Sequence, residues 1–192
     1  MEVFRGIRNA LLPTLLLWAL IIFGAHSAMG QTYVRAGGFD ISVANTPTVQ
    51  NAAYSSGNAI GGLQTIAFFR TVQQPTGILQ NVSVASKGGS TTAITLYIFE
   101  ANPTATTCTD KSAFSLGAAD VSKLITTIPI VLTPAVVGAG ASVTFASQQL
   151  PVSVRNSDSA TGLSFYACAV VGGSVTPAST TDLVFKFAGI QD

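Results

Sequence analysis

Histidine is nearly missing from this chain: its one copy, His26, lies in the first 30 residues, so residues 31–192 carry none. That excludes a Ser-His-Asp or Cys-His nucleophilic arrangement from the body of the chain. It also excludes the usual His-containing zinc sites, and two cysteines are too few for a four-cysteine one. Charge is the second scarcity. Asp, Glu, Lys and Arg make up 9% of the residues, against about 25% in a typical globular domain. Of 9 basic and 8 acidic side chains, residues 31–192 keep 7 and 7, a net charge of 0. No basic excess is there to draw nucleic acid or anionic lipid, and no nucleic-acid partner is expected. Nucleotide-binding patterns of the GxxxxGK[ST] or GxGxxG type leading into a helix are absent, as is any repeat of fixed period. No cofactor and no metal are expected.

The seven carboxylates beyond residue 30 are Asp40, Glu100, Asp110, Asp120, Asp158, Asp182 and Asp192. A glycosidase needs two of them facing across a cleft. The lone glutamate, Glu100, closes a strand-like run and reads as a solvated strand end. No residue is a catalytic candidate, and the chain is not expected to be an enzyme.

What is present begins with an address. Arg5 and Arg8 precede the apolar run Leu15–Phe23, and the small residues Gly24, Ala25, Ser27, Ala28 and Gly30 follow. This is the layout of a cleavable secretory signal with its cut between Gly30 and Gln31. An internal start at Met29 would give nearly the same working chain. A transmembrane helix needs about 20 apolar residues, roughly twice this run, so no stable membrane span is expected. Residues 1–30 are thus a leader or a mis-assigned start, and residues 31–192 are one domain, undivided by any linker. Cys108 and Cys168 can pair in an oxidising compartment, or remain buried thiols; the sequence leaves both open.

Alternation dominates the body. In Thr91–Glu100, Thr95, Tyr97 and Phe99 share one face, and Ile94, Leu96 and Ile98 the other, as in a central strand apolar on both sides. Leu163–Val170 alternates likewise, and Leu183, Phe185 and Phe187 share a face opposite Lys186. Shorter candidates are Phe39–Val43, Leu63–Arg70, Leu79–Ala85, Ile125–Leu132, and Ser142–Ala146 followed by Val152–Arg155. Turn-forming stretches separate them, including Lys87–Ser90, Gly138–Gly140, Asn156–Asp158 and Gly172–Gly173. One helical turn fits Ala118–Leu124, with Asp120 early and Lys123 late. The fold class is therefore all-β: an antiparallel two-sheet β-sandwich of about eight strands, with jelly-roll topology. An immunoglobulin-like sandwich is disfavoured, because the only tryptophan, Trp18, falls in the leader.

Smaller motifs have plain readings. Asn156-Ser157-Asp158-Ser159 lacks the carboxylate spacing of a calcium loop and reads as a turn. Gly37-Gly38, Gly61-Gly62, Gly88-Gly89 and Gly172-Gly173 serve turns or bulges. Asn81-Val82-Ser83 matches a glycosylation acceptor. In Phe68-Phe69-Arg70, strand alternation sends at least one ring to the core.

Two longer stretches carry a resemblance. Leu96-Tyr97-Ile98-Phe99-Glu100-Ala101-Asn102-Pro103-Thr104, running on to Thr107-Cys108-Thr109-Asp110, and the tail from Ala178-Ser179-Thr180-Thr181-Asp182-Leu183 to Gly189-Ile190-Gln191-Asp192 are similar to small proteins of tailed-phage and prophage structural-gene clusters. Ala53–Leu63 and Ile78–Val84 resemble earlier parts of the same pattern, so the likeness spans most of residues 50–192. The family is virion-associated and has no assigned activity. The resemblance implies a head-decoration or cement protein located in the virion, with other virion proteins or its own copies as partners, as a homo-oligomer. A neutral surface rich in hydroxyl and small apolar groups suits that role. The competing expectation is an exported bacterial binding module, adhesin-like, periplasmic or secreted, holding an envelope partner or a glycan through its loops. An exported hydrolase ranks third.

Overall fold

A strand buried on both faces lies at the centre of one sheet: Ser164–Val171, whose eight residues are all buried. It belongs to a β-sandwich seen in a computed structural model that describes residues 39–70, 76–89, 91–135, 143–158 and 162–191. In chain order the strands are β1 (Phe39–Asn45), β2 (Ala59–Ala67), β3 (Thr76–Ser86), β4 (Ala93–Phe99), β5 (Leu124–Val131), β6 (Thr133–Ala135), β7 (Val143–Arg155), β8 (Ser164–Val171) and β9 (Leu183–Gln191). The 3-10 helix Ala118–Lys123 precedes β5.

The chain pairs with itself as one long folded ribbon. Antiparallel pairs form between β4 and β5, β3 and β7, β2 and β8, and β1 and β9. These pairs alternate between two sheets, and the β3–β9 and β4–β8 pairs close each sheet. The result is a five-stranded sheet, ordered β1-β9-β3-β7-β6, facing a four-stranded one, ordered β2-β8-β4-β5. Rolling a four-rung ribbon this way is the jelly-roll topology, so the expected fold class holds. The additional strand, β6, is three residues that continue β5 past the buried Leu132 and cross from the edge of one sheet to the edge of the other.

Alternation and burial agree in β9, where Leu183, Phe185 and Phe187 are buried and Lys186 is exposed. Two segments differ from the sequence reading. The two candidates Ser142–Ala146 and Val152–Arg155 fall on a single strand, β7, from Val143 on, with Ser142 outside the described residues; a bulge opposite Gln80 absorbs Leu150 and Pro151 without ending the pairing. β2 starts at Ala59, four residues ahead of Leu63, and runs through Gly61 and Gly62, which sit at φ +77° and +68° in a register shift. Such conformations suit glycine and hide the strand's alternation. Both Phe68 and Phe69 enter the core. The Phe68 N–H donates to the Ile66 carbonyl at 2.8 Å, a tight turn that breaks the alternation just past β2.

The main core lies between the sheets. Phe165 stands 5.5 Å from both Phe68 and Phe187, ring centre to ring centre, and Leu96, Ile98, Val82 and Val84 pack in the same cluster. Gly189 makes room for it: a Cβ there would stand 2.8 Å from the Phe68 ring. Replacing Phe165, which is 0% exposed, with Ala should cost about 3–5 kcal/mol in urea unfolding. A loss under about 1 kcal/mol would mean that the inter-sheet core is not as described.

Candidate functional site

The two outer faces of the sandwich are built differently. Over the four-stranded sheet, the outward side chains of β8, Tyr166, Cys168 and Val170, join Ala59, Phe99 and Cys108 in a second apolar cluster. The connection between β4 and β5 forms its lid, supplying Phe114, Leu116 and the bridge between Thr107 and Ser115. Phe114 stacks on Tyr97 at 4.3 Å. A disulfide joins Cys108 in this strap to Cys168 in β8, so the structure holds the bridged state of the pair, with Cα atoms 6.1 Å apart.

Two aspartates, Asp110 and Asp120, fix the strap. Asp110 accepts from the Tyr54 hydroxyl at 2.8 Å, the Gly61 N–H at 2.6 Å and the Gln50 N–H at 3.2 Å. Burial, reinforced by the Asp110 hydrogen bond, pushes the Tyr54 phenol up to about 12. Asp120 is buried and accepts from the Ala105 N–H at 2.7 Å, the Thr106 hydroxyl at 2.9 Å and Lys123 Nζ at 2.8 Å. Burial alone would raise its pKa, but the hydrogen bonds from Lys123, Thr106 and Ala105 outweigh that and hold it below the ordinary 3.8. Asp120 therefore organises the strap beyond the dipole role its position suggests.

Asp182 and Glu100 also tie segments together. Asp182 is buried and accepts from the Ser86 hydroxyl at 2.9 Å and from the Gly88 N–H. Glu100 is not a bare strand end: it forms an ion pair with Arg155, linking the end of β4 to the end of β7 across the sandwich. Asn156 Oδ1 accepts from the Asp158 N–H at 2.7 Å, the local turn expected there. Among the described residues no group of three or more His, Cys, Asp or Glu could hold a metal ion. No described helix is long and apolar enough to cross a membrane. The leader, with Gly30 and Gln31, lies outside the described residues, as do Gly37-Gly38, Gly138–Gly140, Ser159 and Asp192.

The outer face of the five-stranded sheet has no such strap among the described residues. Cross-strand partners share a face, so the register places Ser42, Ala188, Asn81 and Gln149 along one rung. The next rung is Ala44, Lys186, Ser83 and Ser147. Asn81 Nδ2 donates to Ser147 Oγ at 2.6 Å, so the glycosylation-like asparagine is part of this face. The side chains are small and neutral, with Lys186 alone carrying charge in these rungs. Beside them, at the β7 bulge, is a shallow hollow of about 470 Å³ bordered by Gln80, Leu150 and Pro151. A second, hydroxyl-rich cleft of about 370 Å³ opens at one end of the sandwich, between Thr91 and Thr92 on one turn and Ser174 and Thr176 on another. Sequence reasoning missed the roles of Asp110, Asp120 and Asp182. Their signal was faint: single aspartates set among Thr, Ser and Gly, with few cations to pair with.

Among the described residues, these features define a jelly-roll sandwich with one strapped face and one bare face whose rungs carry few charges. No family model matches the chain, and no curated protein matches it. Solved structures similar to it include viral particle chains and an adhesin domain. The K1 cleaved adhesin domain of Lys-gingipain from Porphyromonas gingivalis W83 is 12% identical with a TM-score of 0.28, over 62% of this chain and 57% of that domain. A chain of turnip yellow mosaic virus is 10% identical with a TM-score of 0.29, over 80% of this chain and 92% of that one. A chain of the Israeli acute paralysis virus full particle is 12% identical with a TM-score of 0.28, over 85% and 71%. These scores are too low to carry the fold, which rests on the strand order.

Two outcomes follow from the strap. Replacing both Cys108 with Ser and Cys168 with Ala opens a link across a sequence separation of 60 and should lower stability by about 4 kcal/mol in denaturant unfolding. The Asp120 carboxylate, held below 3.8, contributes stability above that value and loses it as pH falls through its folded-state pKa. Asp120→Asn should therefore flatten the acid limb of the stability–pH curve, measured by urea midpoints from about pH 6 to about pH 2.

Proposed function

We propose that this protein is a non-enzymatic, virion-associated structural protein of the head-decoration or cement type. It acts by laying the bare face of the five-stranded sheet against a protein lattice. The observation that carries this reading is the contrast between the two outer faces among the described residues: the chain spends a disulfide, an apolar cluster and two aspartate hubs covering one and leaves the other without a strap and with few charges. A face of this kind costs little desolvation energy on burial, because few charges must shed water. The phage-family resemblance of residues 50–192 points to the same role, and the carboxylates engaged in holding loops favour a non-catalytic reading.

The disulfide favours a second reading, an exported binding module, since such bonds persist in oxidising compartments. In that case the hydroxyl-rich cleft at the loop end is the contact region, for an envelope partner or a glycan, and the protein is periplasmic or secreted. Co-sedimentation with purified phage particles from the strain that encodes the gene separates the two. The virion reading expects stoichiometric binding that falls at least about tenfold in Ala188→Arg, which sets a bulky charge in the middle of the bare face. Complete absence from particles, with recovery of a periplasmic product beginning at Gln31, would favour export.

A further inference from the structure

Sheet edges are where a β-protein is most exposed to pairing with another chain, and natural sequences blunt them. Among the described strands, β1 and β6 end one sheet, and β2 and β5 end the other. β5 carries Pro129 and β6 carries Pro134, and neither can donate a ladder hydrogen bond. β2 is kinked by Gly61 and Gly62 at positive φ. β1 has none of these devices. Its seven residues hold neither proline nor glycine, and they pair one to one with β9 without a register shift. Its alternation is regular, with Ile41 buried and Asp40, Ser42 and Ala44 exposed.

We propose that β1 is a self-association strand: two copies pair β1 antiparallel to β1 about a two-fold axis at Ser42, joining their five-stranded sheets into one. Residue identities select this register. It pairs all seven residues, placing Ile41 opposite Val43 of the partner subunit and Ser42 opposite Ser42 of the partner subunit. Asp40 falls opposite Ala44 of the partner subunit, whose own neighbour in the sheet is Lys186. Each aspartate thus faces the other copy's lysine across about 10 Å of backbone, two strand spacings, within reach of an extended lysine. A register centred on Asp40 would instead oppose two carboxylates directly. Because the axis is isologous, the pair closes on itself. The bare faces then become continuous across both copies. The proposal stands independently of what that face binds.

The test uses the full chain, with mass measured by light scattering and sedimentation across about 1–100 µM. The wild type should be dimeric in the upper part of that range. Ser42→Lys and Ser42→Glu each place like charges opposite one another at the axis and should each raise the dimer dissociation constant at least about tenfold. An equimolar mixture of the two variants should restore a dimer containing one copy of each. Circular dichroism and thermal unfolding confirm the fold of both variants, since Ser42 is exposed. A wild type that stays monomeric throughout overturns the proposal. So do a Ser42→Lys variant that dimerises as the wild type does, and a mixture that stays monomeric.

Discussion

The requirement that β8 be covered on both sides governs the rest of the molecule. Its inward residues, among them Phe165, Ala167 and Ala169, join the main core, while Tyr166, Cys168 and Val170 point the other way and need a cover of their own. One sandwich interface cannot bury both sets, because successive residues of a strand face opposite sides. The chain meets the need with the β4–β5 connection, which lays Phe114 and Leu116 over the outer face and is tied down by Cys108. A loop built this way acts as a third layer over one sheet. Among the described residues the opposite sheet has no such cover: two of its outward rungs hold serine, alanine and amide side chains with Lys186, and the rung beyond Ser42 sets Asp40 beside Ile190 and Ile78.

Scarcity of charge shapes how the loops are held. With so few ionic groups, Asp110, Asp120 and Asp182 each serve as an acceptor for more than one donor, most of them backbone N–H groups or hydroxyls. Asp110 ties the strap to the sequence-distant stretch Gln50–Gly61 through Tyr54, Gly61 and Gln50, and Asp182 ties the β3–β4 turn to the segment before β9. Carboxylate acceptors make stronger hydrogen bonds than neutral ones, so a few suffice. The same economy leaves the surface nearly neutral, a property suited to close packing against other protein.

Much of the sandwich was legible in the sequence because a strand of period two shows its burial directly. The Leu183, Phe185, Phe187 face with Lys186 opposite is the clearest case, and the two-sided apolar run of β8 marked it as central. Legibility failed where the backbone departs from regular pleating. Gly61 and Gly62 contribute no side chains to an alternation, Pro151 sits in a bulge, and β6 is too short to show a period. The strap was illegible for a different reason: Phe114 and Leu116 lie among turn residues, and their cover over β8 is a non-local contact with no periodic trace. For the same reason composition showed a neutral, hydroxyl-rich surface but not which face it occupied, since that depends on where the strap lies.

Lysine reactivity offers the most direct test of the claim that the bare face is the contact face. Lys186 lies within that face, and Lys111 is exposed on the strap. Acetylation of free and particle-bound protein, read by mass spectrometry, should show Lys186 protected on binding and Lys111 unchanged. Protection of Lys111 with Lys186 still reactive would contradict the account.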